Sequence, residues 1–510
     1  MVCLWLSVAG AKAQADGQPA GTNAGRVAPM LLASDESVEI MELGRDALIN
    51  FRFHDAEASF TRLANRPDGR SAGIYHLSVV SFLRYLMSDR QADMEAFVLR
   101  SDELRRTLDG ERDTPWRHLL GAETNLQRTV VWAKQGRYVR AALSGRNAYR
   151  TYSSLVSTHP EFHEAYKGYG VLQTAISSLP STYRRFLALV GFTGDAEAGS
   201  RALRVASVSG GYMREEASAY VSLFDVLLEG SRGDGEERLR RLHDAYPESP
   251  LFAHLLGYYL FENRKAVEAE RVLRKAATSY GDARVFYIDY VDHFLGMTLF
   301  RQNRFEDAVR YLQRYRDNHG GEALMAPTML YLGLAYEMLD RRNDALEAYH
   351  LVQATRELDA DVVSNRWATR LIEHAMSPLE RQLLRGANAY DAGNYREAQD
   401  LLVAVSEENG ASKSIRSEAA YRLGRLYQAT DKPDLALESY AEAVRLRDEG
   451  PQRWAPWSEY HIGEIHAERG NAVEARAAFE RALSYDGEYD YYQALESSAR
   501  HAMTRLEQES

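Results

Sequence analysis

Along the chain a Gly is followed by an Ala twelve residues on, an apolar or aromatic residue four beyond that Ala, and a small or apolar residue seven beyond it. This pattern occurs seven times: Gly44/Ala56/Phe60/Leu63, Gly257/Ala269/Leu273/Ala276, Gly296/Ala308/Leu312/Tyr315, Gly333/Ala345/Tyr349/Val352, Gly386/Ala398/Leu402/Val405, Gly424/Ala436/Tyr440/Ala443 and Gly463/Ala475/Phe479/Ala482. Spacings of four and seven put residues on one face of a helix. Polar turns such as Gln302-Asn303-Arg304 and Ala392-Gly393-Asn394 fall between the Gly and the Ala. Each unit therefore predicts a hairpin, with helix A around the Gly and helix B around the Ala. A Gly inside a helix costs about 0.5–1 kcal/mol relative to Ala, so its return at one place per hairpin needs a packing reason. That reason is a close helix crossing, where Gly and Ala supply minimal volume and the residues at four and seven fill the hairpin core.

These units resemble the tetratricopeptide repeat, a helical hairpin of about 34 residues. The likeness is strongest at Leu423-Gly424-Arg425-Leu426-Tyr427 followed by Ala436-Leu437-Glu438-Ser439-Tyr440-Ala441-Glu442-Ala443. It places repeats at 37–70, 250–283, 289–322, 326–359, 379–412, 417–450 and 456–489, with an extra helix between Asp359 and Pro378. One hairpin cannot bury its apolar face, so neighbours stack. The resemblance implies an all-α solenoid of the tetratricopeptide-repeat type, a right-handed superhelix without a sheet, whose concave face holds a protein or peptide partner and catalyses nothing.

Residues 71–249 read as helical but depart from that pattern, so we expect a divergent helical region over 35–249 and a regular array over 250–510. Within the divergent part, Gly168-Tyr169-Gly170, Ser178-Leu179-Pro180 and Gly191-Phe192-Thr193-Gly194-Asp195, followed by Gly199 and Leu203, are similar to a motif of the tetratricopeptide-repeat protein 39 and inclusion-body clearance family. That resemblance implies a non-enzymatic adaptor. Asp195 is expected to cap the helix that follows it.

If the hairpins stack, positions three before, one after and four after each Gly form one stripe on helix A, expected to line the groove. They are His254, Tyr258 and Phe261; His293, Met297 and Phe300; Leu330, Leu334 and Glu337; Leu383, Ala387 and Tyr390; Tyr421, Arg425 and Gln428; Tyr460, Glu464 and Ala467. Tyr290 and Trp457, six before their glycines, join the rim. Aromatic anchors with a polar edge suit partner binding, although such side chains equally fill space between repeats. The Lys/Asn pair of peptide-carboxylate clamps is missing from these positions, so binding of chaperone C-termini is not expected.

The composition, 45% apolar and 26% charged, is that of a folded chain. A net charge of −11 disfavours nucleic acid as a partner. Only 7 of 62 basic residues are Lys, a bias that fits a GC-rich genome. The opening apolar run and Ala13-Gln14-Ala15 have the form of a signal peptide over 1–15, with residues 16–34 a mobile leader. This predicts export to the periplasm or cell envelope of a bacterium, the alternative being a cytoplasmic protein if the segment is not a signal. Cys3, the only cysteine, would leave with the signal. The longest apolar candidate, 171–192, is broken by Pro180, Arg184 and Arg185, so no membrane span is expected.

Candidate chemistry is sparse, and no catalytic residue, cofactor or metal is expected. His159 and His163 could share a metal on a helix, but Pro160 suits a first helical turn with His159 as its cap. His461 and His466 are five apart and face different ways. Phosphate-binding, nucleophile-elbow and dinucleotide motifs are missing from the sequence. The pairs Glu215-Glu216 and Glu407-Glu408 read as solvated helix faces, and Arg232-Gly233-Asp234 as an inter-helix loop. The alternative function is a small-ligand receptor or enzyme with a pocket in 71–249.

Overall fold

The structure, a computed structural model, describes residues 31–177, 194–228, 235–352, 359–447, 452–485 and 489–509. Residues 1–15 and 16–30, the Ser178–Pro180 and Gly191–Thr193 parts of the middle motif, and Arg232-Gly233-Asp234 lie outside them. The fold is all-α: 24 α-helices and one short 3-10 turn account for the regular structure, with no strand among the described residues. Two compact units are distinguished. The first holds residues up to Tyr259 with Val272–Val291 and His319–Gly321; the second holds Leu260–Arg271, Asp292–Asn318 and Glu322 onward.

In the first unit, helices α1 (Asp35–Ile49), α2 (Phe53–Ala64), α3 (Arg70–Ser88), α4 (Gln91–Asp109), α5 (Pro115–Lys134), α6 (Tyr138–Thr158), α7 (Ala165–Ser177), α8 (Ala196–Ser209), α9 (Arg214–Leu228) and α10 (Gly235–Ala245) each pack on the next. Alternate helices α3, α5, α7 and α9 also touch in order, so hairpins stack. Leu32 is buried and the Ser34 hydroxyl accepts from Ser37 N to cap α1, so Leu32 and Ser34, within the stretch read above as leader, are packed. Ser34 Oγ also donates to Asp68 at 2.6 Å.

The second unit repeats the arrangement with α14 (Phe305–Asn318), α15 (Met325–Met338), α16 (Arg342–His350), α17 (Asp359–Glu373), α18 (Pro378–Asp391), α19 (Tyr395–Ser406), α20 (Lys413–Ala429), α21 (Pro433–Arg445), α22 (Trp454–Glu468), α23 (Ala472–Leu483) and α24 (Tyr492–Glu509). Preceding them are α11 (Pro250–Glu262), α12 (Ala266–Ala277) and α13 (Tyr290–Arg301). The helix expected between Asp359 and Pro378 is α17; it lies against α24, and its Arg366 and Trp367 both donate to Asp490, just before α24, at 2.5 and 3.2 Å. Ser377 and Glu380 close a reciprocal cap at the start of α18, with Pro378 in its first turn.

The Gly/Ala pattern is the helix crossing. In all seven repeats the residue four after the Ala is the side chain seated on the Gly of helix A: Phe60 on Gly44, Leu273 on Gly257, Leu312 on Gly296, Tyr349 on Gly333, Leu402 on Gly386, Tyr440 on Gly424 and Phe479 on Gly463. A Cβ at Gly463 would stand 2.5 Å from the Phe479 ring, and one at Gly296 would stand 2.8 Å from Leu312 Cγ. Middle alanines Ala56, Ala269, Ala308, Ala345, Ala398, Ala436 and Ala475 have no exposed surface. The divergent region uses the same device differently. Gly170 and Gly199 approach so closely that a Cβ on Gly170 would meet Gly199 O at 2.8 Å and Leu203 Cγ at 2.7 Å. Gly170, Gly199 and Leu203 of the middle motif are thus the crossing point of α7 and α8. Asp195 caps α8, accepting from Ala198 N at 2.9 Å.

One local expectation is overturned. His159 ends α6 and Pro160 to Glu164 form a turn, so Pro160 terminates a helix and does not start one. The reason is Phe162, whose burial at 1% exposure pins the turn against Trp116, ring centroids 5.0 Å apart. His159 and His163 therefore do not share a helical face.

Candidate functional site

The stripe expected to line the groove is mostly interior. In the first unit His254, Tyr258 and Tyr290 are buried, with His254 and Tyr290 ring centroids 6.2 Å apart. In the second, Phe261, His293, Met297, Phe300, Tyr390 and Tyr421 are buried, while Arg425, Trp457 and Tyr460 keep partial exposure. His293 shares a hydrogen bond with Thr328 at 2.8 Å, and Phe261 packs edge-on against Phe294 at 5.5 Å. These nine side chains are therefore interior, not groove-lining. Glu337 is likewise buried and ion-paired with Arg342 and Arg381.

A different stripe reaches solvent. Positions two before and five after the Gly, seven residues apart and so on one helix face, carry Tyr331, Arg422 and His461, and Glu262, Arg301 and Asp391. All but His461 keep surface. With Arg425 they form a polar cluster in the second unit. Beside it the turn around Gly393 meets the turn around Arg264: a Cβ on Gly393 (φ +85°) would collide with the Arg264 carbonyl.

Arginines dominate this cluster, and each lies against a ring. The Arg264 guanidinium lies 4.5 Å from the Tyr390 ring centre and that of Arg301 3.4 Å from Phe261, donating to Phe261 O at 2.8 Å. Arg453 sits 5.1 Å from Trp454 and 4.5 Å from Tyr491. Arg425 donates to His461 Nε2 at 2.6 Å, and His461 Nδ1 donates to Glu464 Oε2 at 2.6 Å, which fixes the tautomer. Tyr460 donates to the other Glu464 oxygen at 3.1 Å. Burial, then the Arg425 charge, push His461 down to about 4, so it is neutral near pH 7 and free to accept. Arg422 is paired with Glu418, but Arg264, Arg301, Arg425 and Arg453 have no carboxylate within 4.0 Å among the described residues. Shared electrostatic neighbours place them together: Arg425 and Arg264 both act on Tyr390 and His461, Arg301 and Arg453 on Tyr331, and Arg301 and Arg264 on Glu262. Glu262 keeps exposed surface, and burial and then Asp391 raise its carboxyl against the Arg301 charge.

The first unit holds a second polar cluster that the sequence reading missed. Lys167, 1% exposed, donates to Glu123 and, at 3.1 Å, to Glu216. Tyr152 donates to Glu123 at 2.7 Å. Glu216 is therefore not on a solvated face: it is 5% exposed, because an ammonium and two carboxylates from α7, α5 and α9 satisfy one another in the core. Burial works against the Lys167 charge, yet Glu123 and Glu216 outweigh it and raise its pKa, so it stays an ammonium and is not poised as an amine nucleophile. A small cavity beside Glu216 is lined by Leu48, Tyr75, Trp116 and Tyr212. Among the described residues no three His, Cys, Asp or Glu side chains converge as metal ligands, and no helix is long and apolar enough to cross a membrane.

Stacked helical hairpins with a Gly/Ala crossing define a helical-repeat protein, a class whose fold suggests a protein–protein interaction scaffold. The tetratricopeptide-repeat family pattern matches residues 295–358 and 416–488, which supports a tetratricopeptide-repeat protein. Similar solved structures include the APC/C hetero-tetramer Cut9-Hcn1 (13% identity over 92% of this chain and 96% of that one, TM-score 0.29). The human IFIT1 dimer with PPP-AAAA is 13% identical over 89% and 95%, TM-score 0.31. Yeast Tom70 is 11% identical over 88% and 97%, TM-score 0.31. No curated protein matches the chain.

Proposed function

We propose that this chain is a non-catalytic scaffold that seats a segment of a protein partner on the polar cluster of the second unit. What carries the reading is the half-exposed group of Arg301, Arg425, Trp457 and Tyr460, side-chain types that make up interface anchors. The opening apolar run and Ala13-Gln14-Ala15 support a place in the bacterial cell envelope. The glycine crossing of α7 and α8 supports kinship with the tetratricopeptide-repeat protein 39 family, whose motif it matches in sequence.

The test is site-specific photocrosslinking. A photoreactive residue at Trp457 should form a discrete adduct with a partner in cells, and one at Val473, 79% exposed on α23, should not. Equal labelling from both positions would remove the cluster from the function. A second reading, a small-ligand receptor, rests on the cavity beside Glu216. It predicts a ligand-induced rise in melting temperature that Glu216→Gln abolishes.

A further inference from the structure

Arg264, Arg301, Arg425 and Arg453 come from four separate segments, and each guanidinium lies against a ring or a neutral imidazole, with no carboxylate within ion-pair distance among the described residues. A guanidinium carries five N–H donors. Arg301 commits one to a carbonyl and Arg425 one to His461, which leaves the rest of each fork directed elsewhere. A guanidinium held against a ring loses less entropy when an anion docks. Arg304, Arg341 and Arg445, by contrast, are ion-paired within the chain. Sharing electrostatic neighbours in the second unit, the four guanidiniums form a set of anion receptors.

We propose that the segment held on this cluster is acidic, a stretch of polypeptide bearing Asp or Glu at intervals, with its carboxylates on Arg301 and Arg425 and on the flanking Arg264 and Arg453. This rests on the scaffold reading above and supplies the chemistry of the partner. The interval matters, because Glu262 and Asp391 stand among the arginines. Those carboxylates repel a continuous polyanion but accommodate a chain whose charges are spaced by neutral residues. The net charge of −11 works in the same direction against a nucleic-acid backbone. The half-exposed Trp457 and Tyr460 offer apolar contact to the spacers.

Fluorescence anisotropy of the full chain with labelled peptides of equal length tests this, using one peptide with regularly spaced Glu, its Gln counterpart, its Lys counterpart, and an oligouridylate. The Glu peptide should bind at least about tenfold more tightly than the Gln peptide. Its affinity should fall as salt rises. Arg301→Gln combined with Arg425→Gln should erase most of the difference with the circular dichroism unchanged. If that variant loses helix, the salt dependence of the unaltered chain decides. Equal binding of Glu and Gln peptides would overturn the acidic partner and leave the scaffold reading standing. Tighter binding of the oligouridylate would overturn it in favour of a phosphate backbone. Failure of every peptide, whatever its charge, would bring down the scaffold reading and this inference with it.

Discussion

Gly424 lies directly beneath the ring of Tyr440: a methyl group on the glycine would stand 2.5 Å from both Cδ1 and Cε1 of the ring. Tyr440 is fully buried, and its hydroxyl donates to Gln428 at 2.9 Å, so the ring is held from both ends. The same relationship, with Leu, Phe or Tyr above the glycine, recurs at every repeat of the pattern.

Gly424→Ala should therefore destabilise the chain although Ala is the better helix former. The propensity gain is about 1 kcal/mol, and overpacking of a held ring costs about 1–3 kcal/mol. Gly424→Val should cost more. Tyr440→Leu in the Gly424→Ala background should recover part of the loss, read as non-additivity in urea unfolding.

Lys167→Met should cost about 3–5 kcal/mol, since it leaves Glu123 and Glu216 facing each other in the core. Adding Glu123→Gln and Glu216→Gln to that variant should return much of the stability. Urea midpoints across the series separate a charge effect from a packing effect, which the added substitutions would not repair.

Acidification should weaken the fold through His461. Its folded pKa of about 4 lies below the ordinary 6.5, because of burial and then the Arg425 charge. Between those values the unfolded chain binds more protons, so stability falls as pH falls from 6.5 towards 4, by at most about 1.4 kcal/mol per pH unit for this one group. His76, lowered to about 3 by burial, acts in the same sense. Melting curves of His461→Asn should show a shallower pH dependence than the parent over that window.

His319 should behave in the opposite sense. Burial disfavours its charge, but the carboxylates of Asp89 and Asp289, 3.6 and 3.8 Å from its ring nitrogens, outweigh this, so its folded pKa is raised. Its contribution is complete below pH 6.5 and is lost as pH rises through the raised value. His319→Gln should therefore lose more stability at pH 6 than at pH 8.5, measured by thermal unfolding. A uniform loss at both values would mean that the ring packs, against Tyr290 at 5.1 Å, and does not titrate.

Much of this architecture could be read along the chain because its determinants are local. A Gly, an Ala and a large residue at fixed spacings describe one hairpin, and every hairpin repeats the same steric problem, so Gly44 with Phe60 and Gly463 with Phe479 could be paired before any coordinates. Asp195 as a cap and the helix at 359–373 were legible for the same reason. Which face of helix A meets solvent was not. A shift of one residue turns a helix by about 100°, and that turn separates the buried His254, Tyr258 and Phe261 from Glu262, and Phe300 from Arg301. It depends on how each hairpin leans on the next, a relation spread over many residues with no spacing rule. Arg264, Arg301, Arg425 and Arg453 are far apart in sequence, as are Glu123, Lys167 and Glu216, and each looks like a solvated charge by itself. Sequence alone determined the hairpin and its crossing point, because those arise within one short stretch. Only the tertiary structure decided which charges are buried together and which face open space, because burial is a property of the neighbours that stacking brings.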